Sequence, residues 1–134
     1  MTLAEVIISL AIAGVAVGGI VCGYTYSVNS AGKSALTLAA SARAMECLEL
    51  TRSAQWSPSS WPPVDQLVTS NFPAQIVTLD LSGAGVGVTM ATNITEIFQI
   101  STNPPVKDIH VDCIWALSDG QLMTNSVETC RGPD

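Results

Sequence analysis

The sequence predicts an α+β protein: one long N-terminal helix packed against a four- to five-stranded antiparallel β-sheet. Three observations predict it. Val6 to Val28 carries neither charge nor proline, helix-forming residues continue from there to Ala54, and residues 75–134 break into short alternating or β-branched runs separated by turn residues. A helical region followed by a run of strands is the element order of an α+β chain. The organisation that follows is an apolar helical segment, 1–28, ahead of a head, 29–134. Within the head, 29–54 is the amphipathic second half of the helix, 55–74 a loop and 75–134 the sheet.

As a helix, 6–28 would run about 35 Å at 1.5 Å per residue, enough to cross a hydrocarbon core of roughly 30 Å. The only charge ahead of it is Glu5, and the first basic residues, Lys33, Arg43 and Arg52, all follow it. An ordinary secretory signal puts Lys or Arg before its apolar run, and basic flanks mark the cytoplasmic side of a membrane. Both rules fit only if a short basic leader preceded Met1, set the topology and was then removed, leaving Met1 as a mature terminus. Gly14, Gly18, Gly19 and Gly23 lie at spacings of 4, 1 and 4, each about 1 kcal/mol less favourable in a helix than Ala. They suit close helix contact through small-x-x-x-small pairs, or a helix soft enough to unwind locally on leaving lipid; the spacing leaves both open. Glu5 costs about 2.5–3.5 kcal/mol in a membrane by insertion scales. So near the start, its side chain either reaches the headgroups or serves a partner.

The stretch SAGKSALTLAASARAMECLELTRSA (30–54) is rich in good helix formers. Ala31, Ala35, Leu38, Ala42 and Met45 make one helical stripe; Leu36, Ala39, Arg43, Cys47, Leu50 and Ala54 make a second, one to face the sheet and the other a neighbour. Arg43 with Glu46, and Glu49 with Arg52, are spaced to pair on an exposed side. Pro58 ends the pattern. WSPSSWPPVDQ reads as a loop without a ladder, pinned by packing of Trp56 and Trp61. Strands are expected at 75–81, 86–90, 95–100, 108–117 and 121–127. In the fourth, Ile109, Val111, Cys113 and Trp115 share one face and Asp108, His110 and Asp112 the other, a half-buried pattern. Ser118-Asp119-Gly120 is a hairpin signal.

A net charge of -6 repels polyphosphate, so no direct nucleic-acid binding is expected. The four cysteines, Cys22, Cys47, Cys113 and Cys130, form no C-x-x-C and no Cys/His cluster, which leaves zinc and c-type haem unsupported and favours disulfide chemistry. Cys22 reads as a small packed thiol in the apolar segment. Cys113 with Cys130 is the favoured pair, and Cys47 with either is the rival. The one histidine, His110, sits between Asp108 and Asp112 with no nucleophile in a recognisable motif, so no catalytic residue is assigned and no enzyme is expected. Gly83, Gly85 and Gly87 lack the Lys and the following helix of a phosphate loop, and Asn93-Ile94-Thr95 is a short glycosylation pattern that arises often by chance. Neither cofactor nor metal is expected.

The string Met1-Thr2-Leu3-Ala4-Glu5-Val6 ahead of an apolar helix resembles the mature N-terminus of type IV pilins and pseudopilins. The resemblance covers about the first 30 residues, with Thr2, Leu3 and Glu5 at the family's positions. Met1 stands where the family commonly has Phe, and Cys22 where it commonly has Pro. The resemblance implies a leader cut by a prepilin peptidase, which also methylates the new amine. It implies that Glu5 neutralises the Met1 ammonium of a neighbouring copy as the helix enters a growing filament; an unpaired charge in a low-dielectric bundle is costly, so a wrong register is penalised. It further implies a structural subunit that forms a helical homo-oligomer at the bacterial cell surface and waits in the inner membrane before assembly. An assembly platform and an assembly ATPase are its implied partners. A minor pseudopilin of a type II secretion pseudopilus is the alternative within the family. Outside it, the alternative is a monomeric membrane-anchored binding domain that uses Trp56, Trp61 and the proline loop.

Overall fold

Glu5 to Lys33 has no charged residue between its ends, and the alanine-rich run beyond it contains no helix breaker before Pro58. In the computed structural model, which describes residues 2–79, 88–117 and 119–134, these stretches form one helix, α1 (Leu3–Arg52). The chain divides into two units, one up to Ala35 and one from Leu36 to Asp134. From Leu3 the first is helix, with its side chains exposed as far as Ser34.

In the second unit the end of α1 packs on a sheet through Ala40, Ala44, Cys47, Leu48 and Thr51. The ion pairs Arg43–Glu46 at 2.8 Å and Arg52–Glu49 at 2.6 Å lie on its exposed side, as the spacing requires. Short strands β1 (Trp56–Ser57) and β2 (Val64–Asp65) pair antiparallel. The expected loop therefore contains a small ladder, followed by a 3-10 turn at Thr69–Asn71. The main sheet is an antiparallel meander in the order β3 (Gln75–Leu79), β4 (Thr89–Thr102), β5 (Pro105–Ala116), β6 (Leu122–Arg131). Thr89 and Met90 of the strand expected at 86–90 join the strand expected at 95–100 in one strand: Ala91, Asn93 and Thr95 point inward in alternation, and the small polar residues between the two runs do not interrupt it; positions 86 and 87 lie outside the described residues. A register shift between Gln99 and Ser101 marks the one irregularity of the β4–β5 ladder. The β5–β6 hairpin turns through Asp119 and Gly120, whose φ of 81° is the left-handed conformation that glycine adopts without strain. Asp119 Oδ1 accepts from the Gln121 amide at 3.0 Å to hold it.

The core of this unit is Ala40, Ala44, Cys47 and Leu48 from α1, Trp56 and Leu67 from the loop, and Leu79, Ala91, Ile109, Val111, Cys113 and Trp115 from the sheet. The inward face expected of β5 is the observed one.

The favoured Cys113–Cys130 disulfide is not formed; all four cysteines are free thiols. The register explains why. Cys113 lies opposite Asn125 and Cys130 opposite Asp108, so the two sulfurs are separated along β6 by about 16 Å at 3.3 Å per residue. Cys113 is also buried and Cys130 exposed, and no bridge forms over that distance without moving the backbone. The rival Cys47 shares the core with Cys113.

Candidate assembly site

A helix begins with backbone N–H groups that have no carbonyl to bind. At the start of α1, Thr2 Oγ1 accepts from the Glu5 amide at 3.4 Å, and Glu5 Oε2 accepts from the Thr2 amide at 2.8 Å. This is a reciprocal capping box, and the carboxylate also lies at the positive end of the helix dipole. Sequence reasoning missed this use of Glu5, although Thr2-x-x-Glu5 ahead of an apolar run is its signature. Met1, the other half of the expected charge pair, lies outside the described residues.

Beyond Glu5 the hydroxyls of Ser9 and Thr25 are turned back on their own helix. Ser9 Oγ donates to the carbonyls of Glu5 at 2.6 Å and Val6 at 3.1 Å, and Thr25 Oγ1 to those of Val21 at 3.1 Å and Cys22 at 3.0 Å. Most of what remains outward is apolar: Leu3, Ile7, Ile8, Leu10, Ile12 and Val15 among others are exposed, together with Tyr24 and Tyr26. The helix is long and apolar enough to cross a membrane. A Cβ at Gly14, Gly18, Gly19 or Gly23 would meet nothing within 4 Å. Among the described residues, no contact requires glycine at these four positions.

No protein-family model, curated protein or solved structure matches this chain.

The two tryptophans of the loop, Trp56 and Trp61, part company. Trp56 is buried beneath Lys107, whose ammonium stands 4.9 Å from the ring centroid, whereas Trp61 is 96% exposed, against the expectation that it packs. Lys107, a residue sequence reasoning did not single out, is itself buried. Its Nζ donates to both carboxylate oxygens of Asp65 at 2.7 Å and to the Leu67 carbonyl at 2.6 Å. Arg131 donates to the carbonyls of Thr51 at 2.9 Å and Ala54 at 2.8 Å, closing the C-terminal end of α1. Asp134 completes that corner. Its carboxylate accepts from the Trp56 amide and pairs with Arg131, and both hold it below the usual carboxylate range.

His110 lies on the outward face, flanked across the strands by Glu96 and Glu128, with Nε2 2.9 Å from Asp112 Oδ1. Among the described residues, no group of three or more His, Cys, Asp or Glu side chains is placed to hold a metal ion. Asn93 of the glycosylation pattern is 2% exposed and its amide is engaged in the core, which leaves no room for a glycan. Gly83, Gly85 and Gly87 lie outside the described residues.

Proposed function

We propose that this chain is a structural subunit of a type IV pilus-like filament, held in a membrane by α1 before assembly and bundled with other copies through α1 afterwards. One observation carries the reading: an apolar helix exposed on every side whose only charge before Lys33 is a carboxylate at its N-terminal end. Each large apolar side chain of that helix that leaves water contributes about 1.5–3 kcal/mol. The bundle is thereby cohesive without covalent links. Glu5 sets the register by pairing with the Met1 amine of a neighbour. An acidic head facing outward keeps filaments apart in solution. The minor pseudopilin rests on the same features and differs only in stoichiometry.

The capping box favours a second reading, a monomeric membrane anchor, because it gives Glu5 a role that needs no partner. One substitution separates the two. Glu5→Gln keeps an acceptor for the Thr2 amide, since Gln also completes a capping box, but removes the charge. The filament reading expects Glu5→Gln to abolish fibres in sheared surface material viewed by electron microscopy while the subunit still accumulates in the membrane. Normal fibre yield from that variant would sink charge pairing, and absence of fibres from the unaltered protein would sink the filament itself.

A further inference from the structure

Two thiols on different elements meet at one side chain in the core of the head. Cys47 comes from α1 and Cys113 from the middle of β5, and they are 7% and 0% exposed. Asn93 lies opposite Cys113 in the β4–β5 register, so their Cβ atoms leave the same inward face about 5 Å apart. The Asn93 amide nitrogen in turn donates to Cys47 Sγ at 3.2 Å and to the Arg43 carbonyl at 3.2 Å. The carbonyl fixes the orientation of the amide, because a flipped group would aim oxygen at oxygen. Asn93 Oδ1 is then left buried with no hydrogen-bond partner. Such an orphaned acceptor is uncommon in a core and asks for a reason. Burial first, and Cys47 second, push the Cys113 thiol above its ordinary range.

We propose that Cys47 and Cys113 are an oxidisable pair that closes to a disulfide, stapling α1 to β5. Cys47 reacts first. It is the more accessible of the two, and the Asn93 N–H aimed at its sulfur answers the charge that develops there. The oxidant is a disulfide of the glutathione class. The Cys47 thiolate, having lost its proton to water, attacks one sulfur of that disulfide; a mixed disulfide forms and one thiolate leaves and is protonated. Cys113 then loses its proton and attacks Cys47 Sγ, expelling the second thiolate, which is protonated in turn. Two S–H bonds are replaced by one S–S bond, and the two electrons leave with the oxidant as a pair of thiols. Because both sulfurs are buried, the exchange proceeds as the helix docks during folding, or through local opening, and is slow on the closed fold. The staple closes a long loop, which favours the folded head by restricting the unfolded chain. It concerns the head alone and does not depend on filament assembly.

The test is a disulfide map. The purified full chain in detergent is unfolded, refolded with excess oxidised glutathione, alkylated under denaturing conditions and digested for mass spectrometry. The expected result is a Cys47–Cys113 linked peptide with Cys22 and Cys130 alkylated. The melting midpoint should rise on the order of 10 °C over the reduced chain, and reductant should reverse the rise. Cys47→Ala and Cys113→Ala should each remove the oxidant-dependent rise while the reduced chains keep the wild-type circular dichroism spectrum. Alkylation of all four thiols in a refolded chain, or a linkage that runs to Cys130 or Cys22 instead, overturns the proposal, and the wild-type map decides it even if a variant fails to fold.

Discussion

A lysine that is only 5% exposed needs an answer for each of its three protons, and Lys107 has them in the two oxygens of Asp65 and the Leu67 carbonyl, with the face of Trp56 beside its charge. Its inward direction was legible, because it shares parity with Ile109, Val111, Cys113 and Trp115 along β5. Its partner was not legible: Asp65 lies across the loop, and only the folded head brings the two together. The asymmetry of burial makes a prediction. Asp65 is half-exposed and rehydrates when Lys107 is lost, whereas the lysine stays buried when Asp65 is lost. Asp65→Ala should therefore cost about 3 kcal/mol or more, the penalty of an unpaired buried charge. Lys107→Met keeps the apolar stem and should cost about 1–2 kcal/mol. Urea unfolding of the two variants in the same detergent checks the order, and a larger loss for Lys107→Met would contradict this account.

At the scale of elements, the strands were more legible than the working face of the helix. From Asp108 to Cys113 strand β5 alternates polar with apolar residues, a contrast that marks which face is inward. In 30–54 alanine is so frequent that every face looks apolar, and periodicity loses its contrast. The stripe through Leu38 and Met45 is exposed, while the buried one combines Leu36, Ala39 and Cys47 of the second stripe with Ala40, Ala44, Leu48 and Thr51, which lie beside it. The join of 89–90 to 95–100 was not read from the sequence, although inward residues alternate through Ala91, Asn93 and Thr95. Small residues at the helix–sheet contact set how near the two can come. Ala44→Leu, at a position with no exposed surface, should overpack this contact and cost about 1–3 kcal/mol. Leu38→Ala on the exposed stripe should change the stability of the isolated chain by no more than about 0.5 kcal/mol. Thermal unfolding of both variants in detergent reads the difference; equal effects would mean that the buried face has been misassigned.

For the whole molecule, the division of labour is set by where apolar surface is satisfied. Every residue of the described core belongs to the unit from Leu36 to Asp134, which carries its own sheet, its own helix end and the Arg131–Asp134 corner that closes it. The helix up to Ala35 contributes no described residue to that core, and its large apolar side chains are exposed. The stability of the head is thus carried by the unit from Leu36 onward, and removing most of the apolar helix should leave it intact. A chain beginning at Asn29 loses a single formal charge, Glu5, and keeps the acidic head that disfavours self-association. It should be soluble without detergent, sediment as a monomer and retain the near-ultraviolet circular dichroism of the packed Trp56 and Trp115, whereas the full chain should need detergent, a bilayer or its own filament. Aggregation of the shortened chain, or loss of its near-ultraviolet signal, would mean that the apolar helix is needed to fold the head, and the separation argued from the core would fail.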